Sequence, residues 1–220
     1  MPRLDPKLDK WIRWLEIIQQ EVQALVMAKD VFWSVQRLIK ANPAVQTPSI
    51  FYWYMGNTYV AYALTGIRRQ VKTQKDSIAF KQLLTEITQE PGKISRSYYR
   101  SLYAHPDTAH FADSHFDRFC AVPGDPHISA SMVKADLDKL AASAATCEEL
   151  ADKRIAHRDK RPPSAVPTFK QADNAIDTLH ELCLKYRLIL LADCQTTLLP
   201  TYQYNWQQIF DHAWRLPACD

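Results

Sequence analysis

The stretch VKADLDKLAASAATCEELADKRIAHRDKR, residues 133–161, decides the fold. Within it Val133, Leu137, Leu140, Ala144, Cys147, Ala151 and Ile155 follow one another mostly at steps of four and three, a spacing that lays one side of an α-helix against a core. The stretch predicts a long helix whose last turns are Ala151–Arg161, stopped by Pro162 and Pro163. Arg154, His157 and Arg161 form a neighbouring stripe on that helix, with Arg158 one turn beyond Arg154. A histidine among arginines and lysines at a helix end suits a phosphate. A solvated helix end has the same composition, because cations are favourable where the helix dipole is negative and Asp152 and Asp159 offset them.

Outward from this stretch the same period recurs. Asp5-Pro6 combines a capping side chain with proline at the first helical position. It opens a helix carrying Leu8, Trp11, Leu15, Ile18, Val22, Leu25, Phe32, Val35 and Ile39, ending near Lys40. Thr47-Pro48 repeats that start signal for a second helix, which carries an aromatic cluster and ends in Arg68, Arg69 and Lys72. From Ala41 to Ile67 there is no charged residue. A membrane span needs roughly 20 mostly apolar residues, but Gln46, Asn57, three threonines and four tyrosines favour a helix buried in a bundle. Asp76 is the expected cap of a third helix bearing Ile78, Leu83, Leu84 and Ile87, and Pro91-Gly92 stops it.

Residues 91–127 mix aromatics with Arg96, Arg100, His105, His110 and His115 between prolines, which predicts short helices and loops covering the bundle. Their tyrosines could stack bases or simply fill core and surface. The three histidines recur every five residues and share no helix face, and no Cys or Glu stands at ligand spacing, so no metal site is expected. Ser129 is placed to cap the signature helix. Thr168-Phe169-Lys170-Gln171 reads as a capping box opening a helix with Ala172, Ile176, Leu179, Cys183, Tyr186 and Leu190 inward. The tail, 196–220, predicts one last short helix burying Ile209 and Phe210. No segment alternates at period two for long. The expectation is one all-α domain over 1–220, an up-and-down bundle: long helices in 5–90, a cover over 91–127, the signature and last bundle helices in 128–195, then the tail.

Composition narrows the function. With 27 Lys and Arg against 24 Asp and Glu, a net charge of +3 requires any basic site to be local. Four glycines, and neither GxGxxG nor GxxxxGK[ST], argue against Rossmann and P-loop nucleotide sites. Five scattered cysteines without a CxxC and an N-terminus without an apolar leader predict a reduced, cytoplasmic protein with no membrane segment.

Asp152-Lys153-Arg154-Ile155-Ala156-His157-Arg158-Asp159-Lys160 resembles the signature segment of HEPN domains, most closely the abortive-infection AbiU-type branch. A second block agrees: Ala63-Leu64-Thr65-Gly66-Ile67-Arg68-Arg69 through Ser77-Ile78-Ala79-Phe80-Lys81-Gln82-Leu83-Leu84. The resemblance spans about residues 5–195. It implies an up-and-down bundle, a homodimer through the signature helix, and a metal-independent endoribonuclease of toxin or phage-defence type, without cofactor, with RNA as substrate and a cognate toxin or antitoxin as a possible partner. In such chemistry the RNA 2′-OH attacks its own phosphate, a histidine moves protons, and an arginine stabilises the charge that builds up. Carried onto this chain, His157 and Arg154 are the catalytic pair, and Arg68, Arg69, Arg158 and Lys160 hold substrate. The family arginine ordinarily precedes the histidine by five to seven residues. Here Asp152, Ala151 and Leu150 stand there, so Arg154 must substitute, or Arg68 or Arg69 must reach in. The alternative is a catalytically inactive bundle that binds a protein or an RNA.

Overall fold

The structure is a computed structural model that describes residues 5–74, 76–103, 105–156 and 158–212. Among them the elements are α1 (Pro6–Ala41), α2 (Ile50–Val71), α3 (Phe80–Gln89), α4 (Arg96–Ser101), α5 (Pro106–Ala109), α6 (Ala112–Asp117), α7 (Ala130–Leu150) and α8 (Phe169–Leu191). A π-helical segment, Ala151–Ala156, continues α7. The described residues hold no strand, only an isolated bridge between Ser95 and His127. The chain is all-α.

Local chemistry sets the helix ends. The Asp5 carboxylate accepts the Lys7 N–H at 2.8 Å and Pro6 opens α1. Ser129 caps α7, accepting from Met132 N. Thr168 and Gln171 form the reciprocal capping box of α8. Two expected starts move. Ser49, not Thr47, caps α2, because Asn42 already caps a short 3-10 turn at Pro43–Val45. Helix α3 starts at Phe80 behind Ala79 with no side-chain cap, so Asp76 has no such role. There the buried Gln70 side chain accepts the Phe80 N–H at 3.3 Å, so a neighbouring helix supplies what a local cap would.

Four long helices, α1, α8, α7 and α2, pack in a ring, and α3 lies against α7. Side-chain pairs fix their directions. Lys29 meets Asp177 and Trp33 meets Asp173 between α1 and α8. Asp136 meets Lys185, and Lys139 meets Glu181, between α7 and α8. Arg68 and Lys72 both meet Asp152, and Lys72 also lies near Glu148, at the end of α7. Arg69 meets Glu21 and Phe32 stacks on Tyr59 between α2 and α1. As the number rises on one helix it falls on its neighbour, so every adjacent pair is antiparallel. Gly66 is the close approach of α1 and α2: a Cβ there would come within 2.6 Å of Leu25 Cδ2. Trp11, Leu15, Ile18, Leu64, Ile67, Leu83, Leu84 and Tyr186 fill the centre and are fully buried.

Two parts of the chain depart from the expected burial. The first half of α2 is not enclosed: Phe51, Trp53, Tyr54 and Tyr62 are 50%, 65%, 61% and 49% exposed. The tail forms a 3-10 turn at Trp206–Asp211, and Ile209 and Phe210 stay exposed. The tail is fastened earlier, where Tyr202 donates to Asp30 on α1 at 3.0 Å and buried Leu198 donates its N–H to His180 Nε2 at 2.9 Å. No helix among the described residues is long and apolar enough to cross a membrane.

The His180 clasp makes stability depend on pH. To accept, Nε2 must be unprotonated, with the ring proton on Nδ1. Burial lowers the imidazole pKa below its ordinary 6.5; Asp177 acts the other way, and Lys29 adds to the lowering. A lowered folded-state pKa gives stability that is whole above the unfolded value and is lost as pH falls through the folded value. Melting curves taken between pH 8 and pH 5 should therefore show a larger loss for wild type than for His180→Gln, whose amide oxygen can accept the same bond at either pH.

Candidate functional site

The candidate site is the junction where α7 ends beside the C-terminal half of α2. The apolar stripe of α7 runs as the spacing requires from Val133 to Ala151, with Val133, Leu140, Ala144, Cys147 and Ala151 buried. It stops there. The π-helical turn closes i→i+5 hydrogen bonds and rotates the side chains beyond it out of register with the stripe, so Ile155 is 39% exposed instead of resuming the stripe. Ala156 is the last helical residue among the described residues of this segment, and 158–161 are not helical. The chain then folds back, with Asp159 N donating to Lys153 O at 3.1 Å. The expected continuation to Arg161, with Arg154 and Arg161 on one helical stripe, is therefore not realised. Arg161 instead turns onto Asp159, donating to its carboxylate from Nη2 at 2.9 Å and from the backbone at 2.9 Å. His157 lies outside the described residues.

Charges at the junction separate into paired and unpaired sets. Asp152 accepts from Arg68 Nε and from Lys72 Nζ at 2.6 Å. Partial burial opposes the charge of Asp152, but the bonds from Lys72 and Arg68 outweigh it and hold the carboxyl below its usual range. Lys153 donates to Glu149 at 2.7 Å and to Pro162 O at 3.1 Å, while Ser164 donates to Glu149 from both N and Oγ. The Lys153 and Ser164 bonds bring the Glu149 pKa down to about 2 and strap the loop after α7 to the end of that helix. Asp159 is lowered as well, first by the Arg161 side chain and then by the Arg161 N–H.

Three cations remain. The exposed Arg154 donates from Nη1 to the Asp159 carbonyl at 2.9 Å, a bond that positions the guanidinium without neutralising it. Arg158 and Lys160 are exposed, and neither has an ion-pair partner among the described residues. Of the two α2 arginines, Arg68 reaches the signature segment but is engaged by Asp152. Arg69 is drawn to Glu21 on α1. Glu21, Arg68, Arg69, Lys72, Gln74 and Ser77 surround a cavity of about 150 Å³, whose cations already have carboxylate partners.

Sequence reasoning did not give Lys72 a part in this site. Its signal was present, since Lys72 follows Arg68 by four and so shares its helix face. The Glu149–Lys153 pair has the same i,i+4 spacing. Among the described residues no group of three or more His, Cys, Asp or Glu side chains could hold a metal ion. Compared with protein-family models, with curated proteins and with solved structures, the chain matches none of them.

Proposed function

We propose that the segment 154–160 binds an RNA phosphodiester and that the protein is a metal-independent endoribonuclease. The observation that carries this reading is the charge sorting at the junction. Among the described residues every other cation nearby has a carboxylate, whereas Arg154, Arg158 and Lys160 flank position 157 without one. Unneutralised guanidinium and ammonium groups on an exposed turn are what a phosphate backbone needs. In the mechanism so read, His157 takes the proton of the 2′-OH and returns one to the leaving 5′-oxygen. Arg154, held by its bond to the Asp159 carbonyl, stabilises the charge on the phosphorane oxygens. Membership of a toxin–antitoxin or abortive-infection system, and a homodimer that completes the cleft through the signature segment, belong to this reading as the assembly the resemblance implies.

A second reading has its own support. Asp152, where the resemblance leads one to expect a cation, is a bonded carboxylate that ties down Arg68 and Lys72. The same surface would then bind RNA or a partner protein without cutting.

Cleavage and binding of a labelled single-stranded RNA in chelator, measured in parallel, separate the two. The ribonuclease reading expects cleavage by wild type, a loss on the order of 100-fold or more in His157→Ala and in Arg154→Ala, and retained binding by His157→Ala. Binding without cleavage supports the second reading. Absence of RNA binding by the wild type removes the ribonuclease reading and the RNA form of the second, leaving only a partner protein for this surface.

A further inference from the structure

An unexplained apolar surface lies away from the junction, on the outward side of α2 and the groove it forms with α1. Ile50, Phe51, Tyr54 and Tyr62 are 76%, 50%, 61% and 49% exposed, and the chain carries no charge from Ala41 to Ile67. Two adjoining cavities line the groove. One, of about 390 Å³, has Val31, Val35, Phe51 and Tyr54 in its walls; the other, of about 240 Å³, has Ala24, Thr65 and Gly66. Tyr62 borders both.

We infer that this α1–α2 face is a two-fold interface between copies of this chain, with α2 packed antiparallel on α2 about Thr58. The inference does not rest on the RNA reading, and it sets the two-fold here in place of the signature-segment dimer, since two separate two-folds on one chain would build tetramers or longer assemblies. The outward residues Phe51, Tyr54, Thr58, Ala61 and Thr65 step by three and four, as in a helix-packing seam. Along this seam Phe51 and Tyr54 are bulky while Ala61, Thr65 and Gly66 are small, with Tyr62 beside them. In an isologous contact residue i meets j and j meets i. A two-fold at Thr58 therefore sets Phe51 of each copy over Thr65 and Gly66 of the other. There the smaller cavity receives the ring. Tyr54 of each copy meets Tyr62 of the other, the kind of aromatic pair found at central hot spots.

Area and charge choose this occupant. Counting about 150–250 Å² for a large side chain, the four exposed residues leave on the order of 400 Å² uncovered. That is half of the ~800 Å² each partner gives to a stable complex, before Val31, Val35 and the other groove walls on α1 are added. A nucleic acid would need cations on the face, and a membrane-surface helix would need Lys and Arg along its flanks. This face has none between residues 41 and 67. Glu21 and Arg69, which border the smaller cavity, pair with each other, so the face meets its own copy without net repulsion.

Sedimentation equilibrium across about 1–100 µM tests it, a range that brackets ordinary dimer affinities. The full chain should sediment near twice 25.4 kDa. Tyr54→Glu and Tyr62→Glu should each raise the dissociation constant on the order of 100-fold, the effect of a central aromatic, with melting temperatures that match wild type once all are measured dilute enough to be monomers, because both rings are already half exposed. Tyr204→Glu, 83% exposed on the tail, should leave the dimer intact. In a Cys194→Ser, Cys219→Ser background, Thr58→Cys should cross-link copy to copy under mild oxidation, and Tyr204→Cys should not. A monomer at the highest concentration overturns the inference, as does a dimer indifferent to both glutamates. So does a monomer whose face takes up phospholipid vesicles or an apolar helical peptide instead.

Discussion

Asp152→Ala is expected to weaken the fold and strengthen phosphate binding at the same time. Asp152 is the shared partner of Arg68 and Lys72, and the side chains of Arg68 and Asp152 are 19% and 28% exposed. A pair this sheltered is worth more than a surface ion pair, and removing one side leaves a partly desolvated guanidinium without its acceptor. The cost should be about 2 kcal/mol, which for a chain of this size lowers the melting temperature by roughly 4–8 °C. The released Arg68 and Lys72 then join Arg154, Arg158 and Lys160. RNA affinity should rise by about tenfold at low salt, and the slope of log affinity against log salt should steepen by roughly one or two units. Stability and affinity moving in opposite directions is the signature. If both fall together, Asp152 is organising the binding surface instead of masking cations on it.

The second large effect belongs to the α7–α8 contact that carries the signature segment. Asp136 is 8% exposed and accepts from Lys185 Nζ at 2.7 Å and from Tyr186 Oη at 3.0 Å. Burial and the Asp136 carboxylate push the Tyr186 phenol far above its ordinary pKa, so its proton stays in place as the donor. Asp136→Ala removes the one acceptor common to both groups and opens a small void. A loss of about 3 kcal/mol is expected in urea unfolding, from stranding a partly buried ammonium and a buried hydroxyl. Tyr186→Phe, which keeps the ring and the Lys185 pair, should lose only about 1 kcal/mol. Equal losses from the two variants would show that the Tyr186–Asp136 hydrogen bond, and not the Lys185 pair, joins the helices.

Legibility in the sequence tracked the range over which each feature is decided. The caps at Asp5, Ser129 and Thr168 involve residues two or three apart, and all three form as the sequence predicts. The 3.6-residue period of Trp11, Leu15, Ile18 and Val22 likewise placed α1 and its buried side. Long-range features were not visible. Phe80 N is satisfied by Gln70, which belongs to another helix, whereas local spacing offers only Asp76 as a cap. The π-helical turn accompanies the pairing of Asp152 with Arg68, 84 residues earlier, and neither partner announces the other in the sequence. For Arg154, spacing placed the residue beside position 157. Its lack of a carboxylate partner depended on where Asp152 and Asp159 turned, which only coordinates supply. The aromatics of α2 misled for a different reason. Their hydrophobicity says that they need covering and does not say which surface does so.

The ring of helices closes between its first and last members. Helix α1, Pro6–Ala41, packs along α8, Phe169–Leu191, and Tyr202 then ties the tail to Asp30. During synthesis, therefore, the side of α1 that packs on α8, from Gln19 to Trp33, leaves the ribosome long before that partner exists. At roughly 5–20 residues per second the wait lasts on the order of ten seconds or more. Over that interval the nascent chain presents an oily stripe with no mate, a natural target for chaperones that bind emerging polypeptides. Moving the bundle's last helix ahead of its first by circular permutation would end that exposure without altering a single contact in the finished ring.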